Sequence, residues 1–439
     1  VKVFQTLERQ TQINFLFLFG AGLLFWLSIT SLLPVLPSYI QSISPGQQSW
    51  QWGGRGVVLS VQSQVGLVMG CFAIGLLLSR TRLGRLSDRR GRKIVILIGT
   101  VVATIAPFGY LFMPSIPLLM LWRVFHGLSI SAFTTGYSAL AIDLSPVDKR
   151  GEIIGYMSLV VPIGMSLGPL CGGYLDEAMG NSPVFILSGI SGGLALLLAS
   201  RVKETRRSEK AIFSKLASER VQPREEGFWQ VLLRPALRVP TFVMVGVGMV
   251  FGTLVTFLPL FLGESGIDLN VGLFYTTAAL ASFIGRAVTG RASDRYGRGL
   301  FISLSLLSYA LSMGLLARAV SPSAFLLAAI FEGLGGGVLI PMAIALMSDR
   351  SSLNERGLVY AVCLGGFDFG TALAGPILGF AIAPLGYRGL YGISAAIALL
   401  ALLLFITSSG KSLSHSFRFA TGRAIDVYAL KEPPLSEGV

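Results

Sequence analysis

The sequence predicts an all-α membrane protein of twelve transmembrane helices arranged as two six-helix bundles. Three observations predict it. Apolar runs near 20 residues recur along a chain of 439 residues that is 53% hydrophobic and only 13% charged. Each run is long enough to cross a hydrocarbon core of about 30 Å, and a water-soluble domain needs more polar surface. The second observation is a repeat. Arg80, Gly84, Arg85, Ser87, Asp88, Arg89, Gly91 and Arg92 return as Arg286, Gly290, Arg291, Ser293, Asp294, Arg295, Gly297 and Arg298, always 206 positions on (286 − 80, 298 − 92). A constant offset between charged stretches in an apolar chain marks two copies of one unit. The third is charge parity. Lys and Arg crowd into alternate connections, leaving the others with little beyond Arg55, Arg318 and Arg388.

The expected spans are 13–39, 56–79, 94–112, 116–143, 151–176, 182–200, 240–262, 268–289, 299–317, 322–348, 357–383 and 388–408. The first bundle is expected over 1–200, a cytoplasmic linker over 201–238, the second bundle over 239–408 and a disordered cytoplasmic tail over 409–439. The net charge of +13 marks the cytoplasmic face rather than a nucleic-acid partner. Lys2 and Arg9 precede the first span, so both termini are expected inside. The first apolar run is too long for a cleaved signal, and no cleavage site is expected after it. The linker mixes Lys, Arg and Glu with Phe228 and Trp229 near its end, which reads as a linker with a surface helix. The Ser-rich tail lacks an apolar pattern.

The repeat extends beyond the charged stretch. Phe125, Gly127 and Leu128 match Phe331, Gly333 and Leu334; Asp143, Arg150 and Gly151 match Asp349, Arg356 and Gly357; Gly164 matches Gly370. Parallel repeats suit a transporter that rocks two bundles around a central site. Cys71, Cys171 and Cys363 lie in apolar runs without metal-site or disulfide spacing. With only His126 and His415, no catalytic triad, metal cluster or phosphate loop is legible. No cofactor, no metal and no enzymatic activity are expected.

Charges inside spans are the sharpest signal, because each is costly at the bilayer centre. They are Arg123, Glu332 and Asp368. Asp368 stands about 11 residues into its helix, roughly 17 Å deep. Its repeat partner is Pro162, so it is no symmetric scaffold feature. Glu332 aligns with His126. Arg123 is nearer the outer face, where snorkelling would also explain it. For Asp368, a proton or substrate role competes with a buried structural pair; Glu332 is the reserve candidate.

Gly84-Arg85-Leu86-Ser87-Asp88-Arg89-Arg90-Gly91-Arg92-Lys93 resembles the signature loop of the major facilitator superfamily, between its second and third helices. The second copy has Gly299 where the first has Lys93. Gly164-Met165-Ser166-Leu167-Gly168-Pro169-Leu170-Cys171-Gly172-Gly173 is similar to the fifth-helix motif of proton-driven exporters. Leu33-Pro34-Val35-Leu36-Pro37 resembles the paired prolines of the twelve-helix drug-exporter branch. Arg123-Val124-Phe125-His126-Gly127 resembles the fourth-helix motif, with His126 where that branch often has Gln. The resemblance implies an inner-membrane, monomeric, proton-coupled exporter of small amphiphilic molecules working by alternating access. Its partners would be the substrate, protons and the bilayer. It further implies that Asp88 faces the helix starting near Gly357 and Asp294 the one near Gly151, each acid clasping the cytoplasmic side shut through a helix dipole. Arg89, Arg92, Arg295 and Arg298, with Gly84 and Gly91, complete that gate. The run from Gly164 through Gly168 and Pro169 to Gly172 and Gly173 packs helices closely or bends a helix between the bundles. An uptake symporter of the same fold and a non-transporting membrane sensor are the competing readings.

Overall fold

A computed structural model describes residues 4, 7–44, 46, 48–52, 55–113, 115–146, 149–204, 228–352 and 355–430. Among them, eleven helices are long and apolar enough to cross a membrane. The last, Arg356–Ser408, changes direction at Gly386, where φ is 64°. That left-handed geometry suits a residue without Cβ. It divides the helix into spans 356–385 and 387–408, and the count becomes twelve.

Two expected spans are broken helices. The first runs Arg9–Ser31, turns, and resumes as Leu36–Ile43. Pro34 has no N–H to offer the ladder, and a proline inside a helix also clashes with the preceding turn. The fifth comprises Arg150–Met157 and Val160–Met179. The Tyr137 hydroxyl donates to the Met157 carbonyl at 2.8 Å. Val161 N–H turns instead to Ser158 at 3.3 Å, and Pro162, next in line, has no N–H to give. A side chain on the fourth span thus helps to open the ladder of the fifth.

The charged stretch expected as a loop is mostly helix. The second span is Val61–Arg90, and the third begins at Arg92. Only Gly91 separates them, at φ 108°. Its repeat mate Gly297 makes the same turn at φ 85° between Val271–Tyr296 and Arg298–Leu316. An antiparallel hairpin, Gln48–Trp52 with Arg55–Leu59, fills the connection after the first span; no alternating pattern had marked it. It names one end of the molecule, the hairpin end; the other is the basic end.

The linker and the tail also depart from expectation. Span six reaches Arg201 and span seven starts at Pro235, so 235–238 belong to a helix. A short helix covers Phe228–Leu233, and 205–227 lie outside the described residues. Of the tail expected to be disordered, 409–430 is folded, with a helix over Leu413–Ala420. Its anchor is Arg350, whose side chain is fully buried and pairs with Asp426 through Nε at 2.7 Å and Nη2 at 3.0 Å. The same guanidinium donates to the carbonyls of Ala236 at 2.6 Å and Ser409 at 3.0 Å. Apolar patterning cannot reveal a tail held by one bidentate ion pair.

The repeat is physical as well as sequential. The Arg92–Asp143 pair (3.4 Å) recurs as Arg298–Asp349 (2.9 Å). Gly127 lies against the carbonyl of Phe72, and Gly333 against that of Ala278, again 206 apart (278 − 72, 333 − 127). The apolar interior reports how the two halves meet. Near the hairpin end, Leu36, Ile40, Val65, Val68, Tyr110 and Phe185 of the first half share one core with the second half. Toward the basic end, Phe15, Leu18, Phe133, Tyr137, Ile153 and Met157 form a separate core.

Candidate functional site

The two halves touch along spans two and eleven and along spans five and eight. Gly66 lies against the Gly375 carbonyl, and Gly272 against the Pro169 carbonyl. These contacts are the same contact twice (272 − 66, 375 − 169). Only a residue lacking Cβ lets two backbones come that close. Gly70 packs on Ala372 and Pro376, and Gly173 on Asn270. Thr276 on span eight donates to the Ser166 carbonyl on span five at 2.8 Å. All these contacts belong to the hairpin end. On the same four helices toward the basic end, Gly84, Gly155, Gly290 and Gly365 have open space where a Cβ would stand. The bundles are closed against each other at the hairpin end and parted at the basic end.

Where the contact gives out, a charge bridges the halves. Arg80 on span two reaches Asp368 on span eleven, Nη2 to Oδ2 at 3.0 Å, with side chains 29% and 13% exposed. The angles miss hydrogen-bond geometry, leaving that oxygen and Arg80 Nε without hydrogen-bond partners. The contact is therefore Coulombic. Sequence reasoning singled out Asp368 but missed Arg80 as its partner. The signal was there: Arg80 is ten residues short of the last residue of its helix, Arg90, roughly 15 Å from that end, near the depth inferred for Asp368. Its repeat mate Arg286 has no such acid, Pro162 standing in for Asp368, and donates instead to the Gly337 carbonyl at 3.0 Å.

The other intramembrane charges lie inside single bundles. Arg123 is 6% exposed, which rules out snorkelling. Its guanidinium sits 4.4 Å over the Phe72 ring and approaches Tyr110 Oη at 3.5 Å and Met69 Sδ at 3.7 Å. Tyr110 Oη in turn meets His126 Nδ1 at 2.7 Å. Arg123 and His126, close in sequence, are thus brought together through Tyr110. Arg123 has no acid partner among the described residues; the Phe72 ring and polarizable sulfur hold its charge instead. Glu332 occupies the corresponding place in the second half, 9% exposed. Tyr309 Oη and the Glu332 carboxylate both flank Gly336. Glu332 makes no hydrogen bond or ion pair among the described residues.

The side chains at 356 and 357, where the resemblance places the partner of Asp88, lie outside the described residues, so that clasp does too. Asp88 is 68% exposed and pairs with Arg92, four residues on in its own bundle; Arg92 also binds Ser87 at 3.1 Å. Arg89 is exposed. Arg295 stacks at 5.4 Å on Tyr296. The Asp294 side chain lies outside the described residues, so its contact with the helix near Gly151 does too. The fifth-helix glycines divide their work. Gly164, Gly168 and Gly172 share a face that packs on Trp26, Thr30 and Ser31 of the first span, with the Thr30 hydroxyl donating to the Gly164 carbonyl at 2.7 Å. Pro169 and Gly173 meet the opposite bundle. No group of three or more His, Cys, Asp or Glu that could hold a metal occurs among the described residues.

Comparison with known proteins agrees with this architecture. The chain is 28% identical over 370 residues to the multi-drug resistance efflux pump PmrA of Streptococcus pneumoniae, covering 83% of this chain and 88% of that protein. It is 29% identical over 215 residues to the quinolone resistance protein NorA of Staphylococcus aureus, 49% of this chain and half of that one. Among solved structures, a D-xylose-proton symporter superposes with a TM-score of 0.70 at 16% identity, over 89% of this chain and 96% of that one. The nucleoside transporter NupG gives 0.67 at 14% identity, over 90% and 98%. At such identities the likeness shows the fold alone. The sequence model of the Major Facilitator Superfamily matches residues 18–291 and 267–424, so this chain, a multi-pass membrane transporter and not an enzyme, belongs to that superfamily.

Proposed function

We propose that the protein exports small amphiphilic molecules across the cytoplasmic membrane in exchange for protons, by alternating access, with Asp368 carrying the coupling proton and Arg80 as its conformational partner. The Arg80–Asp368 bridge is the observation that carries this reading. The alternating Lys/Arg excess supports a cytoplasmic basic end, which makes the described state inward-facing. The efflux relatives support the direction of transport.

The bridge joins two rigid bodies at the edge of their contact. Rocking one bundle on the other therefore changes both the distance from Arg80 to Asp368 and the water that reaches them. With Arg80 close, the carboxylate charge is neutralised by its partner. With Arg80 withdrawn, a proton must do it, because an unpaired charge at that depth is costly. Proton uptake and release at Asp368 thereby become linked to the relation between the bundles. Glu332 lacks this property. It is buried within one bundle, and rigid-body rocking leaves its neighbours in place. The test is efflux in proteoliposomes under an imposed pH gradient. Wild type should accumulate an amphiphilic cation such as ethidium on the side opposite the basic end, with protons moving the other way. Uptake in the same direction as the protons would overturn the exporter reading. An absence of substrate flux would leave a membrane sensor.

A further inference from the structure

The folded tail presents a surface that transport by the central site does not use. Its helix, Leu413–Ala420, has two faces. Ser416, Phe419 and Ala420 are buried against the second half, with the Phe419 carbonyl seated on Gly299 at the start of span nine. The opposite face exposes Leu413 (66%) and Phe417 (51%), with Ile425 exposed at 87% just beyond. Lys411, Arg418 and Arg423 are exposed around them and have no acid partner among the described residues. The one carboxylate in this stretch, Asp426, is taken by Arg350.

We propose that this face is an interfacial anchor that binds anionic phospholipid headgroups at the basic end of the membrane. Two features identify the occupant. The first is continuity. The helix begins five residues after span twelve ends at Ser408, and span twelve exposes Leu399, Leu400 and Leu403 as a lipid-facing surface. A segment tied that closely to the end of a span lies at the level of the headgroups. The second is complementarity. Aromatic and aliphatic side chains flanked by Lys and Arg fit the acyl–headgroup boundary, the apolar groups entering it and the cations meeting phosphate. The anchor has a mechanical consequence. Through Asp426 the tail grips Arg350, and Leu430 N–H donates to the Asp349 carbonyl at 2.8 Å. Both residues end span ten. Headgroup binding would therefore hold the basic end of the second bundle at a fixed height in the bilayer.

The experiment places a fluorophore on Ser414→Cys, in a chain whose exposed Cys171 is replaced by Ser; Cys71 and Cys363 are buried. The protein is reconstituted in phosphatidylcholine vesicles with or without phosphatidylglycerol. With phosphatidylglycerol, a lipid carrying a spin label near its headgroup should quench the label several-fold more than aqueous iodide does. Without it, or in the Lys411→Gln/Arg418→Gln/Arg423→Gln variant at unchanged thermal stability, that preference should fall several-fold. Phe417→Ser should lower it in both membranes and serves if the triple variant fails to fold. Efficient iodide quenching in both membranes would overturn the anchor. Lipid quenching that neither phosphatidylglycerol nor the three cations affect would overturn its anionic specificity.

Discussion

The two halves of this chain carry one design twice, a small set of shared positions holding it and other positions setting the halves apart. Shared are the glycine turns at Gly91 and Gly297, the pairs Arg92–Asp143 and Arg298–Asp349, and the backbone contacts Gly66–Gly375 and Gly272–Pro169. These build and join the bundles. Not shared are Asp368 against Pro162, Glu332 against His126, Arg123 against Ala329, Gly299 against Lys93, and Glu355 against Lys149. Symmetric residues serve the scaffold; a coupling ion or a directional regulator needs asymmetric ones. Each prediction below tests whether a difference between the halves has the consequence its geometry implies.

The largest effect is expected at the bridge. Asp368→Asn should reduce proton-driven efflux by about tenfold or more, the loss of an interaction needed for turnover. Substrate exchange without a gradient should survive. Glu332→Gln should impair driven efflux much less. A double-mutant cycle with Arg80→Gln, read by thermal stability, should return a coupling energy of about 0.5–3 kcal/mol, the range for residues in direct contact. Equal losses of driven and exchange transport in Asp368→Asn would reduce the bridge to a structural pair. Arg286→Gln is the control, since that copy has no acid to lose.

Next comes the contrast between the two ends of span two. Gly66→Ala would press a methyl group into the Gly375 carbonyl, and overpacking of this kind costs about 1–3 kcal/mol. Gly84→Ala, on the same helix, meets open space and should be neutral or stabilise by about 0.4–1 kcal/mol. Spin-label distances across the hairpin end should widen in the first variant only. Matching distances in both would mean that the ends do not differ in packing.

This contrast also shows what the sequence could and could not reveal. Apolar length, charge parity and the repeat made the twelve spans and two bundles legible, because each is a local or periodic property of the chain. Asp368, Glu332 and Arg123 were legible because charge is conspicuous in an apolar run. Their neighbours were not. Arg80 was hidden among other arginines, and its distinction is depth and facing, which only tertiary structure supplies. The breaks at Leu32–Val35 and after Met157 were equally hidden, the second because a hydroxyl from another helix takes part. The tail misled for the same reason: one buried arginine, Arg350, holds it in place.

A third effect concerns Gly299. The first half has Lys93 here, and its ammonium donates to the Ser200 carbonyl at 2.7 Å. Gly299→Lys would restore the motif in the second half but set a side chain against the Phe419 carbonyl. The tail helix should be displaced, with a loss of about 1–3 kcal/mol for the forced contact. Faster proteolysis near Arg418 and Arg423 would report it. Unchanged protection would show that the tail does not depend on that close approach.

The smallest effect tests the last asymmetry, at the start of span eleven. Glu355 accepts from Ser352 N–H at 3.1 Å and pairs with Arg234 at 2.9 Å, while the same place before span five holds Lys149. Partial burial pushes the Glu355 carboxyl up, but the Ser352 N–H and the Arg234 guanidinium outweigh it and hold the carboxyl below its ordinary value. The sign of the linkage follows. The stabilisation is fully present above the unfolded value, about 4.3 for Glu, and is lost as pH falls through the lower folded value. Both side chains are more than a quarter exposed, so solvent screens the pair and its worth at neutral pH is under about 1 kcal/mol. Glu355→Gln should therefore lower the melting temperature slightly at pH 7, and the difference from wild type should close as the pH is taken below about 4. A difference independent of pH would assign the residue's contribution to helix packing, and the charge contrast with Lys149 would then have no energetic meaning.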